Sequence, residues 1–221
     1  IIGLDVHEAK TEHPFAIRKS LPESSLLNFQ ISLTKRQKLL QKLSNILDWN
    51  YLPDPLSNYG ELEHFLYFKT KWINFRYNNL ESKNKDFLLF DLSYSEGAFI
   101  AKEDLRSTFL QIKGPEKMPV FALDKENFMT NILQLSGLKD IDFKEYPDFS
   151  KRFYLRGEDE KAIRAFFTGN LIYFFESHPA YYLESNGDSL LIRTKERLAS
   201  IQEIKQILAF AEELLKILEK K

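Results

Sequence analysis

The chain has 221 residues, enough for one sizeable core or two small ones. Its formal net charge is −1, with 31 basic and 32 acidic residues interspersed, so no basic surface points to nucleic acid. Cysteine is absent, which excludes disulfides, thiolate nucleophiles and zinc–thiolate sites, and no run of about 18 apolar residues offers a membrane span.

Residues 1–30 lack sustained periodicity and are punctuated by Pro14, Pro22 and Ser24-Ser25, so they read as an arm or linker. His7, Glu8, Glu12 and His13 invite a metal reading. The histidines are six apart, however, not four, and do not share a helix face, so no metal is expected there. From Ser32 to Trp49, Leu33, Leu39, Leu40, Leu43, Ile46 and Leu47 form an apolar stripe, predicting a helix capped by Ser32 or Thr34. Its lysines also fit a helix lying on an anionic membrane, and packing on a sheet is the plainer reading. Leu52-Pro53-Asp54-Pro55 then reads as loop.

Residues 61–123 read as an antiparallel meander of four or five strands. Phe65, Tyr67 and Lys69 alternate, as do the residues from Trp72 to Tyr77, and Asn78-Asn79 and Ser82–Lys85 have turn chemistry. Phe87–Phe90 suits a central strand, and Thr108–Ile112 and Val120–Leu123 supply two more. Glu61, Glu63 and His64 form a His–carboxylate cluster of the kind common on surfaces. Asp124 is placed to cap a helix over Glu126–Leu135 that Gly137 closes.

In Asp140–Phe167, Ile141 and Phe143 alternate with charges, Pro147 interrupts, and Phe149 to Arg156 reads as extended. Gly157 exits into a helix whose first turn carries Glu158, Asp159 and Glu160. The segment is predicted as strand, turn, strand, helix. Its residues Phe149-Ser150, Phe153, Leu155, Gly157, Asp159-Glu160 and Arg164, with Phe90-Asp91, Tyr94, Pro119–Leu123, Tyr182, Glu184 and Leu190-Leu191, carry a resemblance. Over roughly residues 60–220 the chain resembles an uncharacterised family of bacterial membrane-anchored proteins, whose soluble domain has no established activity. Asp124 stands where that family usually has proline, and residues 1–30 match nothing in it. The resemblance implies a membrane span upstream of Ile1, an unidentified protein partner and a membrane-associated location, by default on the cytoplasmic side. The start at Ile1 instead of Met is read in the same way, as a processed or excised piece.

Leu171–Phe175 is apolar nearly all round, the mark of buried structure, and is read as helix bent at Gly169. Tyr181–Glu184 and Leu190–Arg193 flank Asn186-Gly187, a hairpin signal. Ser200-Ile201-Gln202-Glu203 is a capping box opening a last helix with a heptad-like stripe, which either packs on the sheet or pairs two copies as a homodimer.

The expected fold is α+β: a mainly antiparallel sheet, meander followed by β-α-β-β-α, covered by helices and ending in a long C-terminal helix. Residues 31–221 are expected as one domain, with two lobes meeting near 138 as the alternative. No nucleophile elbow, P-loop or dinucleotide fingerprint is present, and the adjacent carboxylates Glu158–Glu160 do not face one another. No catalytic residue, cofactor or metal is therefore assigned. The functional expectation is a non-enzymatic interaction or sensing domain. The alternative is a small-ligand site or enzyme assembled from dispersed residues around Asp91, Tyr94, Arg152 and Arg164.

Overall fold

The computed structural model describes residues 33–56, 59–97, 103–115, 117–125 and 140–219. From Thr34 onwards these belong to one contact unit, Thr34–Lys221. The arm at 1–30, with His7 and His13, and the helix expected over 126–135 lie outside the described residues.

Helix α1 (Lys35–Leu47) starts where a reciprocal cap forms: the Thr34 hydroxyl accepts the Gln37 N–H, and the Gln37 side chain accepts the Thr34 N–H. Strand β1 (Asn50–Leu52) follows, then two 3-10 turns, Gly60–His64 and Leu66–Phe68, which together form what we term the cover. Strands β2 (Trp72–Glu81), β3 (Phe87–Glu96), β4 (Glu103–Lys113) and β5 (Phe121–Lys125) come next. The rest is α2 (Pro147–Arg152), β6 (Phe153–Gly157), α3 (Glu160–Phe166), α4 (Gly169–Ser177), β7 (Tyr182–Ser185), β8 (Ser189–Arg193) and α5 (Ile201–Leu218). The strands make one antiparallel sheet in the order β1-β2-β3-β4-β8-β7-β5-β6, so the fold is α+β. The meander holds from β1 to β4. β5 leaves it and inserts between β7 and β6.

Alternation along the strands divides the core in two. Leu89, Leu110, Ile112, Leu123, Leu155, Leu183 and Ile192 point to the helices, meeting Leu40 and Leu43 of α1, Phe149 of α2, Ile163 of α3, Phe175 of α4 and Ile204 of α5. Phe90, Leu92, Tyr94, Phe109, Tyr182 and Leu191 point the other way, and the cover closes over them with Leu62, Phe65, Tyr67 and Phe68.

Four local expectations are corrected. Phe65–Lys69 is not a strand: its alternation is overridden because Phe65, Tyr67 and Phe68 all bury against the sheet, which a straight strand cannot arrange. Asn78-Asn79 is not a turn but an irregularity inside β2, where Asn78 takes φ 53°, a conformation asparagine tolerates, and donates to Asp91. Asn50–Leu52 pairs with β2 instead of opening the loop. Phe149–Arg152 is helical, since Pro147 suits a first helical turn and Asp148 complements the N-terminus, and extension begins only at Phe153. Upstream of it Ile141 and Phe143 are buried as expected, but only Asp140 forms a bridge.

The last helix is as read, with the Ser200 hydroxyl accepting the Glu203 N–H and Glu203 reaching back to the Ser200 N–H. Ser200→Ala should cost about 1 kcal/mol of unfolding free energy, seen as a lower urea midpoint at unchanged slope. Of the stripe, Ile204, Leu208, Ala211 and Leu218 are buried in the chain's own core together with Ile207 and Leu214, while Ile201 and Leu215 are half-buried.

Candidate functional site

Strand register lays two rows of side chains across the sheet face away from the helices. One runs Tyr154, Asp124, Tyr182, Arg193, Phe109, Phe90. The other runs Arg156, Ala122, Glu184, Leu191, Gln111, Leu88, Glu81. Ionisable groups thus sit side by side with apolar ones on a face that the cover partly seals.

The cover is held by polar contacts. The Glu184 carboxylate, fully buried, accepts the backbone N–H groups of Leu66 and Tyr67 and the Tyr182 hydroxyl. Burial pushes its pKa up from 4.5 to about 7 even though those three donors favour the ionised form. Asp124, also buried, rises to about 6 for the same reason, partly offset by the Lys125 N–H and by Arg193. The Arg193 guanidinium lies 4.8 Å from the Tyr67 ring and 5.7 Å from the Tyr182 ring, and pairs with Glu196 at 3.2 Å. The Tyr67 hydroxyl meets that of Tyr94 at 2.9 Å, and Tyr94 meets Ser107 at 3.1 Å. Burial raises the pKa of all three tyrosines, keeping them neutral. At the cover's far end Lys71 pairs with Glu96 and sits over the Tyr67 ring.

Beside the cover the same face opens into a cleft of about 370 Å³ at one end of the sheet. Glu81, Leu88 and Gln111 from adjacent strands contribute to its lining, with Glu61 on the cover side. Lys85-Asp86 from the β2–β3 turn, Lys113 from the end of β4 and Asp188-Ser189 from the β7–β8 turn complete it. Backbone bonds stitch this rim: the Lys113 N–H donates to the Asp86 carbonyl at 2.8 Å and the Gly114 N–H to the Asp188 carbonyl at 2.9 Å. Gln111 is buried, and its amide donates one long bond, 3.4 Å, to Glu61. None of Glu61, Glu81, Lys85, Asp86, Lys113 and Asp188 belongs to an ion pair among the described residues. Arg76 lies near enough to Glu61 and Glu81 to feel both carboxylates.

The residues singled out in the sequence are scattered. Asp91 faces the helices, where Arg36 holds it with two 2.7 Å bonds and Asn78 and Thr108 add two more. Tyr94 lies on the opposite face in the tyrosine chain. Arg152 donates to the carbonyls of Glu176 and His178 at the end of α4, and Arg164 pairs with Glu160 and the Asp142 carbonyl. Asp159 caps α3 through the Ala162 N–H. Asp91, Tyr94 and Arg152 each tie one element to another, and the structure does not bring Asp91, Tyr94, Arg152 and Arg164 together. Of the Glu61, Glu63, His64 cluster, only Glu61 lines the cleft. Among the described residues no group of three His, Asp or Glu side chains is placed to hold a metal ion, and no helix is long and apolar enough to cross a membrane.

No protein-family model, curated protein or solved structure matches the chain.

The cleft residues Glu81, Gln111 and Lys113 escaped the sequence reading because they come together only through strand register. Glu184 carried a signal: an acidic residue inside a strand whose neighbours Tyr182, Leu183 and Ser185 are all buried.

Proposed function

We propose that this domain is a non-enzymatic sensing or interaction module that recognises a small zwitterionic metabolite in the cleft beneath Glu61. The observation that carries the reading is the set of six charged side chains of both signs around one stitched concavity, none in an ion pair among the described residues. A cleft of this size stands at the small end of ligand sites. Carboxylates and ammonium groups around one cleft suit a ligand that carries both charges. Catalysis is left out of the reading because Glu184 and Tyr182, whose pKa values burial raises, are sealed under the cover and engaged in holding it.

A thermal-shift screen of the chain against amino acids, polyamines, nucleotides, sugars and lipid headgroups tests this. A ligand at 100 times its dissociation constant adds about 2.7 kcal/mol of stability. A zwitterion should give the clearest rise in Tm, and Glu81→Gln combined with Gln111→Leu should abolish it while changing the unliganded Tm little. Hits that survive those substitutions, or none across the panel, overturn the assignment of the cleft. The resemblance adds the reading that the module works beside a bacterial membrane, tethered by a span upstream of Ile1. Fractionation of cells that express the native gene checks it, with the protein expected in the membrane pellet.

A further inference from the structure

We propose that Glu184 is a proton-operated latch: its carboxyl, when protonated, keeps the Gly60–Phe68 cover on the sheet, and when ionised favours lifting of the cover. The geometry is that of a catch. Glu184 projects from β7 on the sheet face away from the helices, is fully buried, and takes two of its donors from the cover itself, the N–H groups of Leu66 and Tyr67. In the neutral form its own O–H can donate to the Tyr182 oxygen, reversing that bond, while the carbonyl oxygen still accepts from the cover. In the ionised form, closing the cover removes a full negative charge from water, and opening returns it.

The groups around it come from every neighbouring element. Tyr182 is on its own strand, Arg193 and Glu196 lie towards β8, Asp124 is on β5, and Arg156 is on β6 beyond the small Ala122. The cover contributes Tyr67, with exposed Lys69 just after it acting on the carboxylate from outside, and His64, also exposed. The displaced pKa of Glu184, about 7, puts the latch within the neutral range. Because Glu61 rides on the same cover and walls the cleft, lifting the cover changes the cleft's shape, a consequence that rests on the cleft being the binding site.

Amide hydrogen exchange of the full chain, followed by NMR between about pH 5 and pH 8 and corrected for intrinsic rates, reads the latch directly. Protection of the Leu66 and Tyr67 amides should fall roughly fifty- to a hundredfold over that range relative to the amides of Leu89 and Phe109 in the central strands. In Glu184→Gln that fall should disappear apart from any part due to Asp124. Tyr182→Phe, which removes a donor to the carboxylate, should move the midpoint to higher pH and serves if the Gln variant does not fold. Flat protection in the natural chain, an unchanged slope in Glu184→Gln, or a midpoint unmoved by Tyr182→Phe overturns the latch. A working latch with no metabolite bound near Gln111 refutes the cleft reading alone. Metabolite binding with flat protection refutes the latch alone.

Discussion

Arg36→Ala is expected to remove about 3 kcal/mol of unfolding free energy, near the low end of the 3–5 kcal/mol typical when one member of a buried ion pair is deleted. Arg36 joins three elements. Its Nε and Nη2 grip the Asp91 carboxylate of β3 at 2.7 Å, Nη2 also reaches Thr108 of β4 at 2.9 Å, and Nη1 reaches the Ala199 carbonyl ahead of α5 at 2.7 Å. Asp91 is only 1% exposed, so without the guanidinium its charge is stranded beneath α1. Asn78 and Thr108 still donate to it, at 2.8 and 2.7 Å, which is why the low end is expected. Replacing both members, Arg36→Leu with Asp91→Leu, should recover most of the loss, because a packed apolar pair does not carry the desolvation penalty of the charges. Urea unfolding of the two variants settles it, and a single variant within 0.5 kcal/mol of the natural chain, the range of ordinary surface changes, would show that the pair holds nothing.

Stability should be greatest in mildly acid solution and decline as the pH rises through neutrality. Glu184 and Asp124 have folded-state pKa values above their ordinary ones, 4.5 to about 7 and 3.8 to about 6. Groups raised on folding stabilise fully below their unfolded pKa, and that contribution is lost as the pH climbs through the folded pKa. The window therefore runs from about pH 4 to pH 7, with a loss of the order of 3 kcal/mol for each carboxyl. Glu203, held low by the Arg197 guanidinium and the Ser200 cap, acts in the opposite sense, but it sits at the solvent-facing start of α5, where screening makes its part small. Thermal melts from pH 4 to pH 9 should show Tm dropping most steeply between about pH 4.5 and pH 6, where both carboxyls contribute, and levelling off above about pH 7, and Glu184→Gln should flatten much of that drop.

The elements visible in the sequence were those fixed by local chemistry. Thr34 and Ser200 announce helix starts because a cap is a contact three residues long, and Asn186-Gly187 announces its hairpin because only a few residue types accept the required backbone, Gly187 having φ 105°. The cover was invisible for the opposite reason. Tyr67 and Phe68 take 3-10 geometry, with Phe65 extended just before them, so that all three bury against Tyr94, Phe109 and Tyr182, and the Glu184 carboxylate that accepts the Leu66 and Tyr67 N–H groups lies 118 and 117 residues away. The same holds for the site. Asp91 was named from the sequence only as a candidate site residue, but its partner Arg36 is 55 residues upstream and on the helical face, which turns a candidate ligand group into a structural one. The cleft, built from four separate segments, has no expression in any local pattern.

The account's central claim is that the sheet face away from the helices is the functional one, with Gln111 and Glu81 in the lining of its binding site. An amide-shift NMR titration of the chain with the best zwitterion from the screen addresses that claim residue by residue. The expected result is a saturable set of shifts at Glu61, Glu81, Leu88, Gln111, Lys113 and Ser189, with the helices unaffected. Saturable shifts confined to α1, α4 or α5 would contradict it and move the site to the other side of the sheet.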